Sequence, residues 1–240
     1  MMRGDDRQAY DRGSNIFSPD GRLYQVEYAR EAVKRGSASV GIRVDEGVVL
    51  AAARRVRSPL LEPRSVEKLH AIDEHHGVTS AGHVADARQL VDVARRAAQV
   101  ERLRYGQPIT TRELTAEVSR HIQEYTQSGG ARPFGAALLV GGFVEGEARL
   151  FETDPSGTPY EWRATAIGGG SEDIRRRLEE RYDPEMGLDA AVALAREVLR
   201  DEMGEEEDGE FVAVAVIDED GYRAVDGAAE SVAGSDVGDE

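Results

Sequence analysis

The 240 residues contain no cysteine, which excludes disulfides, thiolate nucleophiles and zinc–thiolate sites. Lysine is nearly absent: Lys34 and Lys68 stand alone, and every other cation is arginine. Positive charge is short altogether. Lys+Arg number 30 against 46 Asp+Glu, a formal net charge of -16, which repels nucleic-acid phosphates and anionic lipid. Neither is expected as a partner. An acidic, lysine-poor surface suits concentrated salt, where the Debye length shrinks to about 3 Å at 1 M, so we expect a salt-adapted protein. No apolar run is long enough to span a bilayer, and MMRGDDRQAY lacks the apolar stretch of a signal peptide. The expectation is a cytoplasmic chain folding as one domain.

What is present starts with residues 10–36, YDRGSNIFSPDGRLYQVEYAREAVKRG. A polar arm leads to a turn at Ser18-Pro19-Asp20-Gly21, and a helix follows. Ser18 or Asp20 can cap it. Leu23, Val26, Ala29 or Arg30, and Val33 recur at helical spacing, and Gly36 closes it after two cations that suit the negative end of the dipole. A helix with one apolar stripe, placed ahead of the strands, must pack on the body that follows.

That body alternates pairs of strands with pairs of helices. The apolar pattern predicts strands at Ser37–Arg43 and Val48–Ala53 around an acidic-Gly turn, then Val66–Ile72 and Gly77–Ala81. A long helix is predicted from Val84 to Arg104. A second opens on the capping pair Thr110 and Glu113, carries the stripe Leu114, Val118, Ile122 and Tyr125, and ends at Gly129-Gly130. Strands return at Gly135–Phe143, Glu147–Phe151 and Tyr160–Ala166, the first apolar enough to be buried on both faces. Two further helices are expected, one capped by Ser171 and one over Leu188–Met203, before a hairpin of Phe211–Ile217 and Tyr222–Val225. The tail 228–240 is acidic and apolar-poor, and is expected to be disordered. Strands and helices arriving in pairs favour two antiparallel sheets covered by two helical layers, an α+β fold of αββα type.

Few residues offer chemistry by themselves. His70, His75, His76, His83 and His121 form no ligating word, and adjacent His75 and His76 point apart, so no metal is expected. Gly168-Gly169-Gly170-Ser171 could hold an anion at a helix start, but lacks the lysine of a phosphate loop. A tight strand-to-helix turn accounts for it. The run Glu205–Asp208 has no calcium-loop alternation and reads as a solvated loop. No cofactor is expected.

The words YDR, FSPDGRLYQVEYAREAVKRG, LLEPRSVEKL, ADARQLVDVAR, GGARPFG and ETDPSG, in this order between Tyr10 and Ile217, strongly resemble archaeal-type proteasome α-subunits. The resemblance implies a four-layer αββα sandwich of the N-terminal-nucleophile hydrolase type. It divides the chain into a gating arm and helix (1–36), a core domain (37–227) and a tail (228–240). It implies a non-catalytic subunit of heptameric outer rings that admits unfolded proteins to a chamber of catalytic β-subunits and docks an AAA ATPase. Tyr10, Asp11 and Arg12 match the gate motif, and Tyr10 and Asp11 with Pro19 and Tyr28 match the cluster holding the arms open. Gly36, Lys68 and Gly82 match the intersubunit pocket for the ATPase's C-terminal tail, where Lys68 suits a terminal carboxylate. Gly129, Gly130 and Arg132 match the loop lining the axial opening. Ser128 and His83 depart from the family pattern, in place of an aromatic and an aliphatic residue.

The rival within the enzyme class is a processed hydrolase. Ser37 stands where catalytic β-subunits carry their threonine after a glycine. Using it would require removing the helix that carries the family words. The carboxylate expected at the end of the second strand is replaced by Ala53, so the triad logic is incomplete. A ring scaffold unrelated to proteolysis is the remaining alternative.

Overall fold

The computed structural model describes residues 24–55, 58, 60–62, 65–127, 132–203 and 210–225. Outside them lie the arm with Tyr10, Asp11 and Arg12, the turn with Pro19, the residues Ser128, Gly129 and Gly130, the acidic run 205–208 and the tail 228–240. Among the described residues there are five helices and ten strands.

The leading helix, α1 (Tyr24–Lys34), buries Val26, Ala29 and Val33 along one stripe, as its spacing requires. Strands β1 (Ser39–Val44) and β2 (Gly47–Arg55) form the first hairpin, with Val44 opposite Gly47. Strands β3 (Leu69–Ala71) and β4 (His76–Gly82) form a second. Helix α2 (Val84–Tyr105) stops at Gly106, whose φ of 73° and N–H to the Arg102 carbonyl make a left-handed cap. Helix α3 (Thr111–Gln127) opens on the expected capping box: Thr110 N–H donates to Glu113 Oε2 at 3.3 Å and Glu113 N–H to Thr110 Oγ1 at 3.2 Å.

The second half supplies β5 (Ala136–Val144), β6 (Glu147–Thr153), β7 (Pro159–Glu161), β8 (Ala164–Ile167), α4 (Ser171–Arg181), α5 (Leu188–Met203), β9 (Glu210–Asp218) and β10 (Gly221–Val225). The strands make two five-stranded antiparallel sheets, ordered β10-β9-β2-β1-β8 and β3-β4-β5-β6-β7.

Period-two alternation distributes the apolar residues among three layers of core. On β2, Val49, Ala51 and Ala53 face α4 and α5, where Ile174, Leu178, Ala195 and Val198 meet them. The intervening Val48 and Leu50 join Leu139, Leu150 and Ile217 between the sheets. On β5, Leu138 and Val140 turn outward to Leu90, Leu114, Val118 and Ile122 of α2 and α3. The result is the αββα sandwich expected from the sequence. Helix α1 lies over its end: Val33 reaches the inter-sheet core, and Arg30 Nη2 is 2.7 Å from Asp154 Oδ2.

Three local expectations are corrected. The single strand foreseen over Tyr160–Ala166 is two strands in different sheets. Trp162 N–H still donates to Leu150 O at 2.9 Å in one sheet, whereas Arg163 O accepts Arg43 N–H at 2.7 Å in the other. The chain crosses the sandwich at that peptide. The strand foreseen over Val66–Ile72 pairs only at Leu69–Ala71, because Lys68 turns toward β1. Ser171 does not cap α4; Gly170, with φ 66°, holds that position and makes no side-chain cap.

Candidate functional site

Three backbones converge where α1 ends. Gly36 follows α1, Gly82 ends β4, and the Gly168–Gly169 turn precedes α4. A Cβ on Gly36 would run into the Gly82 amide nitrogen, and one on Gly82 into the Gly135 carbonyl. Only glycine permits that approach, and Gly82 also has φ 107°. On the other side, Gly169 N–H donates to Gly36 O at 2.7 Å, and a Cβ on Gly168 would sit 2.7 Å from Ser37 O. The glycine run before α4 therefore serves close backbone contact with Gly36 and Ser37.

Lys68 fills the corner so formed. Only 8% of it is exposed, and its ammonium donates to Ser37 O at 2.6 Å, Ser37 Oγ at 2.9 Å and Ala38 O at 3.2 Å. All three of its hydrogens are directed at oxygens of its own chain. The charge is held where the reading from sequence would aim it at an incoming carboxylate. Ala53, 2% exposed, supplies only a methyl group on β2, and its N–H donates to Ala38 O at 3.0 Å. The polar line continues inward: Thr79 Oγ1 donates to Ser39 Oγ at 3.1 Å, which donates to Ser80 O at 2.9 Å.

Gly36, Lys68 and Gly82 thus share the lining of one cavity of about 410 Å³, together with Arg35, His70 and Val84. Burial holds the His70 imidazole below the usual histidine range, and Arg95 pushes the same way, so it is neutral near pH 7. Beyond the Gly36–Gly82 contact lies a second concavity of about 440 Å³, lined by Tyr28, Glu31, Arg35 and His83. Tyr28 is 54% exposed there.

Arg132 lies past the far wall of this concavity, and Asp86 holds it. Its Nη1 and Nη2 donate to Asp86 Oδ2 and Oδ1 at 2.6 and 2.7 Å, a bidentate pair, and Asp86 Oδ2 also accepts Gly135 N–H at 2.8 Å. Burial alone would raise the Asp86 carboxyl, but the Arg132 and Gly135 hydrogen bonds outweigh it and leave the group below its ordinary range. Gly135 O in turn accepts His83 N–H at 2.8 Å. The loop base at Arg132 and the cavity wall at His83 are therefore three hydrogen-bonded links apart, through Asp86 and Gly135. Sequence reasoning missed Asp86. An acid in a first helical turn reads as a dipole partner, and nothing in its spacing reveals an arginine at position 132.

His76 is fully buried with Nδ1 2.9 Å from Asp73 Oδ1, while His75 is half-buried at the hairpin surface. Among the described residues no three His, Asp or Glu converge as a metal would require. No described helix is long and apolar enough to cross a membrane.

The family described as "Proteasome subunit" matches residues 33–217, and the N-terminal signature of A-type proteasome subunits matches residues 10–32. The chain is 62% identical over 217 residues to the alpha 2 proteasome subunit of Haloarcula marismortui, covering 90% of this chain and 89% of the relative. It is 66% identical over 189 residues to the alpha proteasome subunit of Haloquadratum walsbyi, covering 79% and 76%. It is 60% identical over 220 residues to the alpha 1 proteasome subunit of Haloferax volcanii, covering 92% and 87%. With an α-type signature ahead of a subunit match over residues 33–217 and an αββα sandwich beneath both, the chain belongs to the proteasome α-subunit family.

Proposed function

We propose that this chain is a non-catalytic gating subunit of a proteasome core particle, working in the cytoplasm. It builds heptameric outer rings with copies of itself, rests on rings of proteolytic β-subunits, admits unfolded proteins and docks an AAA ATPase. The observation that carries the non-catalytic reading is the Ser37 corner. The Ser37 hydroxyl meets an ammonium that also donates to two backbone carbonyls, and β2 offers Ala53 where a triad needs a carboxylate. A fully hydrogen-donating lysine cannot take the serine proton, and with Gly36 still attached no terminal amine exists to do so.

On this reading residues 1–36 form the arm and its helix, 37–227 the core domain and 228–240 a tail. Tyr10, Asp11 and Arg12 are the gate motif, and Tyr10 and Asp11 with Pro19 and Tyr28 are the cluster that holds the arms open; the exposure of the Tyr28 ring supports that role. Gly36, Lys68 and Gly82 form the pocket for the ATPase tail. Gly129, Gly130 and Arg132 border the axial opening. The charge of -16 supports assembly in concentrated salt.

One preparation tests the proposal. Expressed alone, the chain should give rings in negative stain, an intact mass that still includes the residues through Gly36, and no cleavage of fluorogenic peptides. Co-expression with a β-subunit should add peptidase activity, and deleting residues 2–12 should raise it without any ATPase. Peptidase activity of the chain alone that disappears on Ser37→Ala would return the processed-hydrolase reading.

A further inference from the structure

On the reading above Arg132 borders the axial opening, and it brings a charge there. Its side chain is 65% exposed, yet the guanidinium is not a free cation: Nη1 and Nη2 meet the two oxygens of Asp86 at 2.6 and 2.7 Å. Among the described residues Asp86 is its only ion-pair partner. The Asp86 carboxyl lies below its ordinary range, so it is ionised at neutral pH and the pair carries no net charge.

The chain around the pair is held by other means. Phe134 is buried, with its ring centroid 4.9 Å from that of Tyr125 and 5.7 Å from that of His121, both on α3. Gln89 Nε2, one turn along α2 from Asp86, donates to the Tyr125 hydroxyl at 3.3 Å. Gly135 O accepts His83 N–H at 2.8 Å. These contacts hold Phe134 and Gly135, just after Arg132, without needing its charge. The feature left for the charge to decide is what the exposed border looks like to a passing chain.

A ring multiplies that feature. Copies related by rotation about one axis repeat at the opening whatever charge one copy presents. Bare guanidiniums there would form a positive collar, and bare carboxylates a negative one. Either would favour chains of the opposite sign and retard those of its own. Asp86–Arg132 pairs make a neutral collar that treats both alike.

We infer that Asp86 sets the charge selectivity of the axial opening: it positions Arg132 and cancels its charge, so that unfolded chains enter irrespective of their sign. The inference rests on the ring and on the place proposed for Arg132, and it assigns Asp86 a role beyond holding the fold.

The test uses the assembled α–β core with residues 2–12 deleted, so that the arm does not limit entry. Two unstructured polypeptides of equal length, one net acidic and one net basic, carry the same fluorogenic cleavage segment; long chains are chosen because they must thread the opening. Each rate is divided by the rate of the same core on a short fluorogenic peptide, which corrects for the number of working chambers. Rates are taken at the lowest salt in which rings remain whole in negative stain. Asp86→Asn keeps an acceptor for Gly135 N–H but leaves Arg132 bare, and should raise the acidic-to-basic ratio about threefold or more. Arg132→Gln leaves the acid bare and should lower the ratio by a similar factor. The double variant should return to the unaltered ratio, and all ratios should converge in molar salt, where screening acts within about 3 Å.

Loosened packing cannot give this pattern, because it would move both single variants the same way. Shifts in one direction, or a double variant that does not return, overturn the neutralising role and leave Arg132 at the opening. A ratio unmoved by either single variant overturns the placement of Arg132 itself. Should Asp86→Asn not assemble, salt supplies the same test: the unaltered ratio should stay flat as salt rises while that of Arg132→Gln climbs to meet it, and an unaltered ratio that falls with salt would show that the arginine is not neutralised.

Discussion

Two corners flank the Gly36–Gly82 contact, and each is organised around a cation that has turned inward. Lys68 has met neutral oxygens: two carbonyls and a hydroxyl at the start of β1. Arg132 has met a carboxylate, Asp86, in the first turn of α2. The difference lies in which partner is buried. At the first corner the cation is the buried member, with 8% of Lys68 exposed. At the second the side chain of Arg132 is 65% exposed and that of Asp86 only 7%. A buried cation on carbonyls serves as a fixed post for backbone, whereas an exposed one on a buried acid is a latch that water can release.

The largest test strikes the contact that both corners share. Gly82→Ala places a methyl group against the Gly135 carbonyl at a φ that side chains avoid. Strain and overcrowding together should cost on the order of 4 kcal/mol, measured by urea denaturation, and both corners should loosen in hydrogen exchange. Lys68→Met comes next. It removes three donated hydrogen bonds and orphans Ser37 O, for a loss of about 3 kcal/mol. Protection should fall at Ser37–Val40 and remain at Asp86–Arg88.

Asp86→Ala should cost less, about 2 kcal/mol, although it breaks a bidentate ion pair. The exposed guanidinium rehydrates, so the loss is chiefly the Gly135 N–H left without an acceptor. A loss equal to or larger than that of Lys68→Met would overturn the distinction between post and latch.

The smallest effect separates the corners by pH. His70 shares the Lys68 cavity, and its folded value lies below the ordinary histidine value of about 6.5. Below that ordinary value the unfolded chain binds the proton first. His70 therefore contributes stability that is present above about pH 6.5 and is lost as pH falls toward its folded value. Asp86 is also depressed, but from about 3.9, so its contribution persists until far more acid conditions. Mild acid should thus lower stability through the first corner alone, and His70→Gln should flatten that part of the profile. A slope unchanged by the substitution would show that His70 is not its source.

Much of this arrangement was legible in sequence wherever the determining contacts are local. The α3 capping box needed only Thr110 and Glu113, and the buried faces of α1 and β5 followed from spacing. The layers followed because strands and helices come in pairs. Tyr160–Ala166 failed for a topological reason: its composition suits a strand throughout, and only the hydrogen bonds of Trp162 and Arg163 to different sheets reveal the crossing. At the site, Gly36, Lys68 and Gly82 were legible as members of one pocket through the family resemblance. The direction of the Lys68 ammonium and the Asp86–Arg132 pair were not. Both join segments far apart in sequence, and such contacts leave no periodic trace.

The position of β9 carries a consequence for how the chain comes to be folded at all. Among the described residues it is the ninth of ten strands, yet it lies inside its sheet, pairing Gly47 with Asp218 and Arg55 with Glu210 along the whole of β2. During synthesis β2 emerges early and must wait, with an unpaired apolar edge, until nearly the entire chain has left the ribosome. Such long-range pairing makes for slow folding, and an open edge of this kind invites pairing with another chain. A nascent chain shielded until β9 arrives, or one whose β2 edge is the first to be captured by a chaperone, is therefore what this strand order demands.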